Sequence, residues 1–310
     1  MDLLIPTLPT PLQELTDEVI ASAGIKLYIK RDDLVHPTVS GNKWRKLKYN
    51  LEDAKNKNAS TLLTFGGAFS NHLYATAAAG NALGFKTIGI VRGEDNAQKL
   101  TPTLQFCTEQ NMQLHYVSRQ EYRIRNNPEY LEKISLQFGN PYLIPEGGTT
   151  DLALKGVQEM TDEVQAQFAK KPDYYAVAVG TGGTAAGILS SGNDVLAFSA
   201  LKGGSFLEKD IKNLLPEKEK KGTLKLFTDY HFGGYAKWTP ELIQFIKEFK
   251  NQHDIQLEQV YTAKMFYGLY DLVKQGYFQK GTIIVAVHTG GLQGLLEELR
   301  ERKMENEKCG

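Results

Sequence analysis

From residue 59 onward the chain alternates short apolar runs with helix-length segments, and nothing else in it limits the available folds as much. The run Thr61 to Phe65 leads through a glycine turn into an alanine-rich stretch, Asn71 to Leu83. Thr87 to Val91 then precedes a helical pattern near Leu100 to Gln110, and Leu114 to Val117 follows. Strands separated by helices of this length pair in parallel through right-handed crossovers, which puts helices on both faces of a sheet. A further helix is expected over Glu121 to Phe138, ahead of Tyr142-Leu143-Ile144-Pro145. The alternation resumes with a helix over Ala153 to Phe168, a strand over Tyr175 to Val179, a turn and a short helix. Strands Val195 to Leu201 and Leu224 to Phe227 come next, then helices Pro240 to Phe249 and Ala263 to Val273, strand Thr282 to Val287 and a last helix from Leu292. The fold class is α/β, with open, mostly parallel sheets flanked by helices.

Upstream of this pattern, residues 1–26 read as an irregular lead-in punctuated by Pro6, Pro9 and Pro11, ending in a short helix-like stretch. A strand, Leu27 to Arg31, precedes a Gly-Asn turn at Lys43. The helix that follows sets Trp44, Leu47 and Leu51 on one face and runs to about Lys55. The lysine turn comes before the first alternating run and the later glycine loops come after it, so one lobe is inserted in another. The expected division is a large lobe of residues 1–50 and 148–310 and a smaller, substrate-side lobe of residues 51–147. The charged tail, residues 301–310, is expected to fray.

Lys+Arg 36 balance Asp+Glu 36, and this formal neutrality argues against bulk attraction to nucleic acid or to an anionic membrane. The cysteines, Cys107 and Cys309, support neither a disulfide framework nor a thiolate metal site, and the histidines lack ligand spacing, so no metal is expected. No secretory signal or membrane-spanning apolar stretch is readable, and the expected location is the cytoplasm.

Several polar, glycine-built patches fall at the ends of the apolar runs, where ligands gather in open α/β sheets. Lys43 sits between a Gly-Asn turn and a basic helix start. A lysine becomes a nucleophile when its ammonium form is disfavoured, and Arg45 and Lys46 are expected to push it that way. Gly180-Thr181-Gly182-Gly183-Thr184 joins a strand to a helix and aims backbone N–H groups at one spot, an anion site suited to the phosphate of a cofactor. It lacks the Lys-Ser/Thr ending of a nucleotide-binding P-loop and the GxGxxG dinucleotide pattern. Gly66-Gly67-Ala68-Phe69-Ser70-Asn71-His72 joins another strand to a helix and suits a carboxylate. Taken singly, each loop reads equally as an ordinary turn or N-cap, and Lys43 as a surface charge. Phe232-Gly233-Gly234-Tyr235, Val260-Tyr261-Thr262 and His288-Thr289-Gly290-Gly291 complete the set.

In this order the patches resemble the fold type II pyridoxal-phosphate enzymes, the tryptophan synthase β-like fold, over nearly the whole chain. More narrowly they are similar to the family of 1-aminocyclopropane-1-carboxylate (ACC) deaminase and D-cysteine desulfhydrase. Its specific parts are Lys30-Arg31-Asp32-Asp33 followed by Gly41-Asn42-Lys43-Trp44-Arg45-Lys46-Leu47, then the Ser70-Asn71-His72 loop, Val260-Tyr261-Thr262 and His288-Thr289-Gly290-Gly291. The resemblance implies that Lys43 forms a Schiff base with pyridoxal 5'-phosphate, that Asn71 bonds the ring hydroxyl, and that Thr181, Gly182, Gly183 and Thr184 hold the phosphate. It implies substrate contacts at Ser70, Asn71, His72, Thr289 and Gly290, and nucleophilic or proton-handling roles for Ser70, Tyr235 and Tyr261. It also implies a small amino-acid substrate and a homodimer. Ala68-Phe69 departs from the family's usual Ile-Gln in this loop.

Two further departures bear on the reaction. The deaminases usually carry Glu where this chain has Thr262, and Leu where it has Thr289. A glutamate facing the pyridine nitrogen keeps it protonated and makes the ring a strong electron sink, which opening a cyclopropane needs more than expelling a thiolate does. The sequence therefore leads to an enzyme, a β-eliminating lyase of D-cysteine desulfhydrase type, with ACC deamination as the alternative and a non-catalytic cofactor- or phosphate-binding protein as the second.

Overall fold

Two mostly parallel sheets carry the fold, described by a computed structural model over residues 4–94, 100–168, 170–215 and 222–300. The larger sheet runs in the order β1 (Leu12–Leu15), β2 (Lys26–Lys30), β10 (Ile283–Val287), β7 (Tyr174–Val179), β8 (Val195–Ser199), β9 (Leu224–Phe227). The smaller runs β5 (Met112–Val117), β4 (Lys86–Arg92), β3 (Thr61–Gly66), β6 (Tyr142–Ile144). Every pairing is parallel except that of β1 with β2. The helices are α1 (Glu18–Ala23), α2 (Asn42–Asn56), α3 (Asn71–Leu83), α4 (Pro102–Glu109), α5 (Arg119–Arg123), α6 (Pro128–Gln137), α7 (Asp151–Gln167), α8 (Gly183–Ser190), α9 (Leu207–Asn213), α10 (Pro240–His253) and α11 (Thr262–Lys274).

Central strands covered on both faces lose the polar half of the usual alternation. All of Ile283-Ile284-Val285-Ala286-Val287 is accordingly buried. Its side chains still divide by parity: Ile284 and Ala286 join Leu27, Ile29, Ala176 and Ala178 under α1, α10 and α11, whereas Val285 and Val287 join Tyr28, Tyr175 and Val177 under α7 and α8.

Helix α2 links the two sheets. Leu47 and Leu51 pack into the same core cluster as Leu62 of β3 and Ala75 of α3, while the opposite side of the helix lies on α7. Gly156 permits that approach, because a Cβ there would stand 2.0 Å from the Arg45 carbonyl oxygen. Gly156→Ala is expected to push the helices apart and destabilise the protein by about 3 kcal/mol, the upper end for overpacking because the obstructing atom is backbone. The midpoint of urea unfolding, at an unchanged slope, measures it.

The sequence-based elements need correction in three places. The single helix expected over Glu121 to Phe138 is two, α5 and α6, because Pro128 has no N–H to continue the ladder and Asn127 caps a fresh start by accepting from the Tyr130 N–H at 3.2 Å. The last helix from Leu292 is replaced by short 3₁₀ turns, Leu292–Gly294 and Glu297–Leu299, after Gly290 and Gly291 take positive φ of 79° and 92°. Within the lead-in, Leu12–Leu15 pairs antiparallel with β2, an edge strand too short to show as alternation. The expectation of a fraying tail falls outside the described residues.

Candidate active site

The carboxyl ends of β3, β4, β7 and β10 converge on one cleft of about 680 Å³ lined from both sheets. Seven of the anticipated residues line it together: Lys43, Ser70, Asn71, His72, Tyr235, Tyr261 and Thr289, and so does the whole of Thr181, Gly182, Gly183 and Thr184. Thr262 and Gly290 lie behind its wall.

Lys43 is the second residue of α2, and its Nζ donates to Asn42 Oδ1 at 2.6 Å. Asn42 in turn donates to Thr184 Oγ1 at 2.8 Å, so one amide ties the lysine to the glycine loop. Burial brings the Lys43 ammonium down to about 8, against an opposing attraction from Glu258. The cause differs from the one expected. Arg45 points away, into an ion network with Asp32 and Glu163 that fixes α2, and contributes positioning rather than charge. Lys46, one turn on, is in the cleft and donates to Thr149 Oγ1 at 3.1 Å; burial, then the neighbouring Lys43, push it well below the ordinary lysine value.

Gly182 adopts φ +80° and ends the turn from which α8 starts. A Cβ on Gly183 would lie 2.6 Å from Thr149 Oγ1 and 2.8 Å from Lys46 Nζ. The loop therefore faces Lys46 and Thr149 with only backbone between them, a close concave seat for a phosphate. Sequence reading missed Lys46 and Thr149 in this role; their signals are the position of Lys46 one helical turn beyond Lys43, and the Gly147-Gly148 pair that precedes Thr149 ahead of the Thr150 cap of α7.

Ser70 N-caps α3, its Oγ accepting from the Leu73 N–H at 3.2 Å, so the first turn presents backbone donors to the cleft. Asn71 Oδ1 accepts from Gln293 Nε2 at 2.6 Å, and its amide nitrogen lies against Gly291, 2.7 Å from where a Cβ there would stand; Gln293 is an orienting residue with no signal in the sequence. His72 does not fit the carboxylate role expected of its side chain. Thr64 Oγ1 donates to the Ile144 carbonyl at 2.7 Å and must therefore accept from His72 Nε2–H, also at 2.7 Å. Burial, with Lys43 and Lys46 nearby, holds the ring neutral, and its buried Nδ1 has no protein partner. An anion at this position would meet the histidine backbone and not its ring.

Tyr235 and Tyr261 face each other with ring centroids 6.1 Å apart. Tyr261 precedes α11, whose start is capped by Glu258: its carboxylate accepts from the N–H groups of Val260, Tyr261 and Thr262 at 2.7, 2.8 and 2.5 Å. Burial nevertheless raises this carboxyl above its ordinary value. The Thr262 hydroxyl is fully buried and bonded to the backbone of Glu258, accepting at 3.0 Å from its N–H. It cannot face a ligand, and the neutral hydroxyl residue that does line the cleft from this side is Thr289. His288, beneath it, accepts from the Gly290 N–H at 3.2 Å and shares a 2.7 Å bond with the Gln256 carbonyl, which fixes the loop.

Comparison with known proteins resolves what such a cleft belongs to. Residues 4–191 match the family described as pyridoxal-phosphate dependent enzyme. The chain belongs to that family. It is 33% identical over 301 residues to a putative ACC deaminase of Pyrococcus horikoshii, covering 92% of this chain and 90% of that protein. It is 31% identical to a bifunctional D-cysteine desulfhydrase/ACC deaminase of Arabidopsis thaliana, covering 94% of this chain and 78% of that one. Among solved structures, an ACC deaminase homologue superposes with a TM-score of 0.80 at 31% identity, covering 94% of this chain and 91% of the other.

The residues present fit the family's cofactor. Lys43 offers an amine with a depressed ammonium, and the glycine seat admits a phosphate where a Cβ would collide. Among the described residues no group of His, Cys, Asp or Glu could hold a metal ion, and no helix is long and apolar enough to cross a membrane.

Proposed function

We propose that this protein eliminates the β-substituent of a small D-amino acid, D-cysteine first among them, giving pyruvate, ammonia and sulfide. The observation that carries this choice is Thr289, a neutral hydroxyl lining the cleft at the position where the deaminases usually carry Leu; the Thr262 hydroxyl is taken up by the Glu258 backbone and does not bear on it. Lys43 and the loop 181–184 would hold pyridoxal phosphate, which would supply the electron sink that acidifies the substrate α-proton.

The chain's own groups do the rest. The first turn of α3, through Ser70 and the N–H groups of Asn71 and His72, seats the α-carboxylate. Lys43, released as an amine, takes the α-proton; with its ammonium near 8 it holds and returns a proton close to neutral pH. The Cβ–S bond then breaks with its electron pair leaving on sulfur, against the tyrosine pair. Seating carboxylate, α-carbon and base in one cleft provides much of the rate by positioning.

ACC deamination is the competing reading, favoured by the name of the Pyrococcus relative. Cofactor-loaded protein supplied separately with D-cysteine, L-cysteine and ACC, and assayed for sulfide and 2-oxobutyrate, tells them apart. Sulfide from D-cysteine alone is expected; turnover of ACC alone would overturn the assignment.

A further inference from the structure

The tyrosine pair is not isolated. Arg92, the last residue of β4, reaches across from the smaller sheet: its guanidinium carbon lies 5.5 Å from the Tyr235 ring centroid and 5.7 Å from that of Tyr122. Its Nη2 would be 3.3 Å from a Cβ on Gly67, and the residue lines the same cleft as Lys43. A cation over the face of a phenol ring stabilises the electron-rich ring, and more so as the oxygen gains negative charge.

We propose that Arg92 is a positioning residue for the elimination, acting through Tyr235: it makes Tyr235, and not Tyr261, the phenol that donates to the departing group. The proposal rests on the reaction assigned above. In D-cysteine the Cβ–S bond breaks and its electron pair leaves as hydrosulfide. The Tyr235 hydroxyl donates to that sulfur and, on full transfer, yields hydrogen sulfide and a phenolate, which water reprotonates at the open mouth of the cleft.

The charged and titratable groups set against Tyr235 pull in both directions, and the cation is what distinguishes it from Tyr261. Burial lifts Tyr235 to about 12, while Arg92 and the Tyr261 hydroxyl pull it back down; Glu146 and Glu258 oppose them. Glu146 is itself engaged by Arg125 at 2.6 Å and by the Tyr122 hydroxyl at 2.8 Å, and Lys264 underlies the segment through the Gly234 carbonyl at 2.8 Å. Among the described residues no cation stands over the Tyr261 ring; burial, then Tyr235, Glu258 and Glu146, drive it well above the ordinary tyrosine value. The guanidinium set over Tyr235 thus makes the two phenols unequal.

The test has one arm independent of turnover. With Tyr235→3,5-difluorotyrosine, whose fluorines bring the titration into a range where the protein stays folded, the ionisation midpoint is read by ¹⁹F NMR without substrate. Adding R92Q is expected to move the midpoint to higher pH, and R92K to leave it near the parent. In the second arm R92Q is expected to slow D-cysteine elimination about tenfold and β-chloro-D-alanine elimination less than about twofold, because chloride leaves without needing a donor. A midpoint unmoved by R92Q, or equal losses on both substrates, would overturn the proposal. Failure of wild-type protein to turn over either substrate would instead count against the assigned reaction, while the NMR arm still decides Arg92.

Discussion

Lys43→Ala is expected to lower amino-acid turnover by about 10³-fold or more, since in the proposed reaction the residue both anchors the cofactor and carries the α-proton. Among the described residues no neighbouring amine replaces it: Lys46, the only other lysine among them lining the cleft, is bonded to Thr149 beside the glycine loop. A companion variant, Lys43→Met, separates catalysis from folding. The folded-state ammonium of Lys43 sits at about 8, below its ordinary 10.5, so the native state binds that proton less tightly than the unfolded chain does. Its burial therefore costs stability, fully below about pH 8, and the cost fades as pH rises from there toward the ordinary lysine value. Cofactor-free Lys43→Met is expected to be more stable than wild type at pH 7 by about 1–2 kcal/mol, discounted for the partial exposure of the side chain. The gap should close as the buffer becomes alkaline. Thermal unfolding of the two proteins across pH measures it, and a variant that loses both activity and stability would mean that Lys43 serves the fold.

How much of this was legible in the sequence depends on what each residue needs from its neighbours. Strands and glycine loops announce themselves, because apolar runs and positive φ are local demands: Thr61–Gly66, Tyr174–Val179 and the turn at Gly182 are readable from adjacent residues alone. The helix over 121–138 misled because its apolar spacing continues through a proline whose geometric cost is concentrated at one bond. Side-chain direction is harder. Thr262 opens α11 after a loop and Thr289 follows β10, yet one hydroxyl is consumed by the Glu258 backbone and the other lines the cleft. Gln293 and Arg92 reach the site from residues far from the loops they serve, across a separation that no single-chain pattern encodes. Arg45 is the clearest case: proximity in sequence to Lys43 suggested that its charge tunes the amine, but successive helix positions project about 100° apart, so it faces a different structure altogether.

That structure gives the second large effect. Arg45→Met is expected to destabilise the protein by about 3–5 kcal/mol, the usual cost of leaving a buried charge without its partner. Arg45 is 1% exposed and holds Asp32 at 2.8 Å and Glu163 at 2.5 Å, with Lys30, 0% exposed, bonded to Glu163 at 2.8 Å. Without the guanidinium, the buried Asp32 carboxylate keeps the Thr10 hydroxyl at 2.7 Å as its remaining side-chain bond. The network also predicts the pH at which the loss appears. Burial alone would raise the Glu163 carboxyl, but Arg45 and Lys30 outweigh it and hold the group below its ordinary value. A carboxyl depressed in this way contributes stability above its unfolded-state value and loses it as pH falls through the lower, folded one. Wild type should therefore resist mild acid better than Arg45→Met, and the difference between them should shrink as both forms of Glu163 become protonated. Urea unfolding of the single variants Arg45→Met and Glu163→Gln and of the double variant isolates the coupling. A double variant no less stable than Arg45→Met alone would locate the cost in the stranded carboxylates. Because the same arginine fixes the helix that carries Asn42, Lys43 and Lys46, its loss is also expected to loosen cofactor binding while leaving the ammonium of Lys43 where burial puts it, and that pairing of effects separates a residue that holds the amine in place from one that tunes its charge.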